Sequence, residues 1–201
     1  MNLEFREPAN EWVFIERGPD GAWDEGGLLQ AQGFENVGDQ TYVYYGSWDP
    51  RVHQRTDATP ARGGVGLVTL PRDRFADLVI EPLALGPGAY HIPAEEAQCE
   101  LVTRSLDIPA GDTPRFYLNA EGLGREAVLK VELLGHDLAP LPSFSGRNAA
   151  TVRQNGFQTP IVWDGSANRS LPARVRVRLL YEGKRRADIR FSALYLQHGT
   201  H

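Results

Sequence analysis

Hydrophobic and polar positions alternate with a period of two along most of the chain, and helical periodicity is weak throughout. The clearest case is Arg174–Glu182, where Val175, Val177 and Leu179 alternate with Arg174, Arg176 and Arg178. That pattern predicts a strand with one face in a core and the other in water. Within Ala187–Leu196, the residues Ile189, Phe191, Ala193 and Tyr195 alternate in the same way. The turn Gly183–Arg186 separates the two segments and predicts that they pair as a hairpin. In Ala127–Leu134, Val128, Lys130 and Glu132 interleave with Leu129, Val131 and Leu133. Leu78–Glu81, Glu100–Ile108, Arg115–Ala120 and Thr159–Trp163 complete a run of short strands with polar turns. The expectation is an all-β chain with an antiparallel, jelly-roll-like β-sandwich over residues 76–198.

Residues 1–75 are punctuated differently. Glu11–Arg17 is a candidate strand closed by the turn Gly18-Pro19-Asp20-Gly21. Gln40–Tyr45 is rich in aromatic and β-branched residues and follows the turn Val37-Gly38-Asp39. Gly64–Leu70 is an apolar strand whose glycines predict a close backbone approach or a buried position. Between them, Asp49–Gly63 is polar and proline-containing and reads as a long exposed loop. The best helical stretch, Ala94–Leu101, spans about two turns without a continuous apolar stripe. A small sheet is therefore expected ahead of the sandwich.

Composition agrees with many short strands and tight turns: the 201 residues include 21 glycines and 14 prolines, and 41% are hydrophobic, enough for a packed core. The net charge is −5 and the basic residues are scattered, so nucleic acid is not an expected partner. Lys184-Arg185-Arg186 reads as a solvated hairpin tip. The lone cysteine, Cys99, excludes an intramolecular disulfide and is expected as a structural thiol in a strand. No apolar run approaches the roughly 20 residues needed to cross a membrane as a helix. Met1–Pro8 lacks the hydrophobic core of a signal peptide, which leaves a cytoplasmic chain or a piece whose targeting segment lies elsewhere.

Metal signals are poor. His53, His91, His136, His198 and His201 are isolated and show no ligand spacing. Asp107, Asp112 and Asp137 are candidate ligands for a structural calcium ion of the kind found on sandwich modules. Ser143-Phe144-Ser145-Gly146 is not a nucleophile elbow, and Gly63-Gly64-Val65-Gly66 lacks the strand–helix context and the lysine of a phosphate loop.

The string Gly38–Asp49 (GDQTYVYYGSWD) resembles the last blade of five-bladed β-propeller proteins of the glycoside-hydrolase type, related to families 32 and 43. Asn2–Pro8 with Gly21–Gly26 is similar to the approach to that blade, and Arg62–Leu78 to the segment leaving it. The sandwich is similar to a C-terminal domain of those proteins, on Leu101–Leu106, Phe116–Asn119, Leu129–Leu134, Pro140–Ser145 and Val162-Trp163. The resemblance implies a propeller-blade-like segment over 1–75 and a C-terminal sandwich over 76–198. It also implies carbohydrate as the partner.

Catalysis in such proteins needs two carboxyl groups brought together from several blades. The residues ahead of the sandwich are too few to close five blades, so no catalytic residue is assigned. Among Glu25, Glu35, Asp39 and Asp49, only Glu25 is a weak catalytic candidate, while Asp39 is expected to shape its hairpin turn. Sugars are bound on aromatic faces with polar groups beside them, which selects Trp48, Trp23, Tyr45 and Asp49. Strand alternation sends Tyr42 and Tyr44 to one face and Tyr45 to the other. The leading reading is an accessory, non-catalytic part of a glycoside-hydrolase-like protein. A purely structural sandwich bracing a propeller and a small intact glycosidase with its site in the 49–63 loop remain open. The blade's edges predict pairing with the sandwich, with a second copy or with a missing N-terminal propeller part.

Overall fold

The structure, a computed structural model, describes residues 13–29, 33–48, 63–80, 99–164 and 170–199. The protein is all-β, with antiparallel sheets, and divides into two compact units, residues 1–75 and 76–201.

The first unit holds β1 (Leu28–Leu29), β2 (Phe34–Val37), β3 (Gln40–Trp48) and β4 (Gly63–Pro71). β3 is the spine. β4 pairs with its whole length, from Gln40↔Pro71 to Trp48↔Gly63. On the opposite edge, β2 pairs with the first half of β3 and β1 with its end, through Leu28↔Ser47 and Leu29↔Gly46. β2 and β3 are joined by Gly38-Asp39, with Gly38 at φ 62°. A left-handed glycine at the first central position is what a tight two-residue hairpin needs. Thr41 is fully buried and locks this hairpin to the exit of β4. Its hydroxyl donates to Asn36 Oδ1 (2.6 Å) and accepts from the Asp73 amide (3.0 Å), while Asn36 Nδ2 donates to Asp73 Oδ1 (3.1 Å).

The expected strand at Glu11–Arg17 does not form over its described part, Val13–Arg17. Phe14 packs its ring on Phe75 (6.0 Å), which also meets Phe34 edge-on (4.9 Å). The aromatic contact, rather than a ladder, fixes this segment. The 49–62 part of the expected loop and residues 94–98 of the expected helical stretch lie outside the described residues. Cys99–Leu101, the end of that stretch, is strand: it gains a full ladder with a neighbour, which outweighs about two turns of weak helical preference.

The second unit contains β5 (Cys99–Val102), β6 (Leu106–Asp107), β7 (Arg115–Glu121), β8 (Val128–Gly135), β9 (Ala150–Val152), β10 (Gly156–Pro160), β11 (Arg174–Glu182) and β12 (Arg190–Gln197). One sheet runs β10-β7-β12; the other runs β5-β11-β8-β9, with β6 also on β11. The core between them is built from Phe116, Leu118 and Ala120 of β7, Leu129, Val131 and Leu133 of β8, and Val175, Val177, Leu179 and Tyr181 of β11. Trp163 closes it, edge-on to Phe116 (5.6 Å) and Phe144 (5.8 Å), with its indole N–H donating to Val131 O (3.1 Å). On the outer face of β8, Glu132 is buried and held by Arg178 from the neighbouring strand, and accepts the Gly146 amide at 2.7 Å. The charge is tolerated there because a paired, hydrogen-bonded carboxylate keeps most of what water would give it.

The expected β11–β12 hairpin is not formed. β11 pairs with β8 from Val175↔Gly135 to Glu182↔Val128, and β12 pairs with β7. The link between them turns through a 3-10 segment at Arg186–Asp188, tied down by the Arg185 amide on Glu126 O (2.8 Å). Both strands carry an apolar face, and placing them in opposite sheets lets the two faces close one core. A second correction lies inside β12. Its register shifts between Phe191↔Ala120 and Ala193↔Asn119, so Ser192 is an extra residue. After this bulge Leu194 and Leu196 pack on the core, while Ala193 and Tyr195 turn to the other face, where Tyr195 meets Phe157 (5.7 Å). Glu100–Ile108 is likewise split, because Thr103 bonds Val177 on its own (N–H to Val177 O, 2.9 Å; Oγ1 from Val177 N–H, 3.0 Å). Leu78 makes only an isolated bridge, to Phe191, and Thr159–Trp163 is strand only as far as Pro160.

Burial of the Tyr181 hydroxyl, with Cys99 directly across the ladder, pushes its pKa from 10.0 up to about 12. The folded state thus holds the phenol proton more tightly than the unfolded chain. That contribution to stability is complete below pH 10.0 and is lost as pH rises through about 12. Urea midpoints recorded from neutral to strongly alkaline pH should therefore fall steeply above pH 10.0 for the wild type and less steeply for Tyr181→Phe. Parallel curves would show that this group does not drive the loss.

Candidate functional site

The residues singled out for sugar contact cluster around β3, and the two-residue period of that strand divides them. Thr41, Val43 and Ser47 are buried and Tyr45 is half-buried on one face, whereas Tyr44 and Trp48 are exposed on the other.

On the inner face, Trp23 and Tyr45 stack with ring centroids 5.9 Å apart and planes inclined by 22°. Both rings lie over β4. A Cβ on Gly66 would fall 2.2 Å from the Tyr45 ring, and one on Gly64 would come within 3.3 Å of the Trp23 ring. Gly66 and Gly64 are the cross-strand partners of Tyr45 and Ser47, so each missing side chain leaves a berth that an aromatic ring fills. The Tyr45 hydroxyl donates to Oδ2 of the buried Asp24 (3.0 Å). Burial, then the bond to Asp24 and its charge, raise the Tyr45 pKa above its ordinary value. The strand end is fastened beside this pair: Ser47 Oγ donates to Gly27 O (3.1 Å), as does the Trp48 amide (3.4 Å). Tyr45 is thus committed to packing, while Trp23, stacked on it, keeps 40% of its surface exposed.

The outer face carries a different set. Tyr44 and Trp48 are 46% and 44% exposed, with Tyr42 half-buried on the same side. Val65 (78%) and Leu67 (47%) on β4 stand across from Gly46 and Tyr44, and Leu29 of β1 lies against Gly46. At about 3.4 Å per residue, Tyr44 and Trp48 sit roughly 13 Å apart along the strand, with the side-chain-free Gly46 between them. This makes an aromatic row with a shallow gap in the middle.

Glu25 joins neither face. Its carboxylate accepts the Gly21 amide and its carbonyl accepts from Arg17 Nη1 (3.1 Å), so it shapes its own turn. Asp49 lies outside the described residues. The three candidate calcium ligands are each held by a separate partner: Asp107 by Arg174 (3.0 Å), Asp137 by the Ala139 amide (3.1 Å) and Asp112 by His198 (2.5 Å). Among the described residues no group of three His, Cys, Asp or Glu side chains could hold a metal ion. The Asp112–His198 pair has no signal in the sequence, because 86 residues separate its members. The hydrogen bond from His198, then the Gly199 amide, lower the Asp112 pKa. Both bonds fasten the end of β12 to the turn before β7. Among the described residues, an open groove of about 500 Å³ is lined by Gly122–Ala127, Arg185 and Asp188.

Two members of the β3 arrangement escape a reading by residue type alone. Tyr44 belongs beside Trp48, and the even spacing of the two along β3 is the signal that groups them. Asp24 anchors Tyr45 across 21 residues, and nothing local marks it.

Comparison with known proteins returns no matching family model, no matching curated protein and no matching solved structure.

The berth on Gly66 yields a direct expectation. Gly66→Ala places a methyl group inside the Tyr45 ring and should cost on the order of 1–3 kcal/mol by overpacking. Gly38→Ala cannot crowd any ring, since nothing lies within 4 Å, and its penalty should come from the turn alone. Chemical denaturation followed by near-UV circular dichroism separates the two: Gly66→Ala should lose the tyrosine–tryptophan signal and Gly38→Ala should keep it. An unchanged spectrum in Gly66→Ala would refute the stacking arrangement.

Proposed function

We propose that this chain is an accessory, non-catalytic part of a glycoside-hydrolase-like protein and contacts carbohydrate through the outer face of the β3–β4 sheet. The observation that carries this reading is the pair of exposed rings, Tyr44 and Trp48, on one face of one strand. Apolar ring faces desolvate well against the C–H face of a pyranose, and a rigid strand holds them without the ordering cost of a loop. Trp48 keeps the role given to it by the sequence. Tyr44 takes the place of Tyr45, whose hydroxyl is engaged with Asp24 and whose ring lies on Gly66, while Trp23 stacks on Tyr45. The engagement of Glu25 with its own turn supports a binding role over a catalytic one.

A second reading is favoured by Val65 and Leu67, which extend the aromatic row with purely aliphatic surface. Such a face also suits a protein neighbour, as in a sheet that braces a larger β assembly.

A glycan array probed with the purified chain, followed by titration of the strongest hit, distinguishes the two. Trp48→Ala and Tyr44→Ala should each weaken sugar binding by about tenfold or more, on the order of 1.4 kcal/mol. Substitution of Val162, exposed in the other unit, should leave binding unchanged. Retention of no glycan, or equal binding by wild type and Trp48→Ala, would favour the bracing role.

A further inference from the structure

The outer edge of β4 is unlike every other sheet edge among the described residues. A strand edge presents unpaired N–H and C=O groups, and proteins ordinarily blunt it with short length, charge, proline or a bulge. The other edges here carry such devices. β1 has two residues and β9 has three. β2 and β5 have four each and carry Glu35 and Glu100. β10 is broken by Gln158, at φ 52°, and ends on Pro160. β12 opens on Arg190 and is bulged at Ser192.

β4 has none of these along its length. It runs for nine residues, GGVGLVTLP, with no charged side chain and a regular register against β3 throughout. Among the described residues β3 is its one partner. Three glycines at 63, 64 and 66 leave the backbone edge uncovered by side chains, and the proline stands at the terminus, where pairing can stop. Val65, Leu67 and Thr69 are exposed on the same side as Tyr44.

We propose that this edge is a strand-addition site whose occupant is β4 of a second copy of the chain, paired antiparallel about a two-fold axis. An uncharged strand meets no like-charge repulsion when its own copy lies beside it, which a charged edge would. Pairing about Leu67, the midpoint of Gly63–Pro71, sets Leu67 against its counterpart and Val65 against Thr69 of the second copy. The exposed aliphatic groups of the two copies then cover one another on one face. The two sheets become one continuous sheet, and the one long, regular, uncharged edge among the described residues is consumed by a closed dimer instead of being left to propagate. The dimer does not depend on the sugar reading. If both hold, two Tyr44–Trp48 rows share one surface.

Sedimentation equilibrium on the full chain tests this directly, paired with hydrogen exchange on the peptide covering residues 63–71. The wild type should form a reversible dimer, and exchange within 63–71 should slow as concentration rises. The double substitution Val65→Lys with Thr69→Lys places like charges opposite each other only in the dimer and should weaken it by at least about tenfold. Both positions are exposed in the single copy, so the variant should retain its near-UV spectrum. Three results would each overturn the proposal: a strict monomer at all concentrations, leaving the edge to an extended peptide of another protein; a dimer of unchanged strength in the double variant; or a dimer whose formation leaves exchange in 63–71 unaltered.

Discussion

A strand offers each side chain only two directions, and in β3 that choice is fixed by what β4 lacks. Gly64 and Gly66 leave room for Trp23 and Tyr45 on one face. A shift of β3 by one residue would bring Tyr44 and Trp48 to that face instead and turn Thr41, Val43 and Ser47 outward. The part-buried hydrogen bonds that Thr41 donates to Asn36 and accepts from the Asp73 amide, and that Ser47 donates to Gly27, oppose such a slip, because each would be left unmade. The division of aromatics into a packed pair and an exposed row follows from this register, and so does the placing of Val65 and Leu67 beside that row.

The second unit applies the same rule at larger scale. β11 is the central member of its sheet, with Val175, Val177 and Leu179 fully buried on one side and arginines on the other. Of its outward arginines, Arg174 pairs with Asp107 and Arg178 with Glu132 and Glu100, while Arg176 donates to the His136 and Thr103 carbonyls. The exposed Arg174–Asp107 pair contributes little, whereas the buried Glu132 carboxylate depends on Arg178, and removing that partner would leave an uncompensated buried charge. The end of β12 is fastened by Asp112 through His198 and the Gly199 amide.

Much of this fold can be read in the sequence wherever alternation is unbroken. Arg174–Glu182 is strand over the expected residues, the Gly38-Asp39 turn joins two strands, and the all-β sandwich follows from the density of such segments. Reading fails where one residue or a distant partner decides. Ser192 inserts a bulge that reverses the faces of Ala193 and Tyr195, and a bulge leaves the local hydrophobic pattern plausible in either phase. The turn at Gly183–Arg186 looks like a hairpin tip, but which strands pair is settled by closing the core, a non-local demand. Glu11–Arg17 reads as a candidate strand closed by a turn, yet in its described part Phe14 is taken by Phe75. For the candidate site, residue type picks out Trp23, Tyr45 and Trp48. Only the glycine berths and the Asp24 bond show that Tyr45 is spent on packing and that Trp23 stacks on it.

The register of β3 against β4 is therefore the claim to measure. The α-protons of Gly66 lie under the Tyr45 ring, so in solution NMR they should be shifted strongly upfield and show contacts to the Tyr45 ring protons. Tyr45→Ala should return them to ordinary positions, while Tyr44→Ala should leave them shifted. If instead Tyr44→Ala abolishes the shift and Tyr45→Ala does not, β3 lies one residue out of the described register, and the assignment of Trp48 and Tyr44 to an open face is wrong.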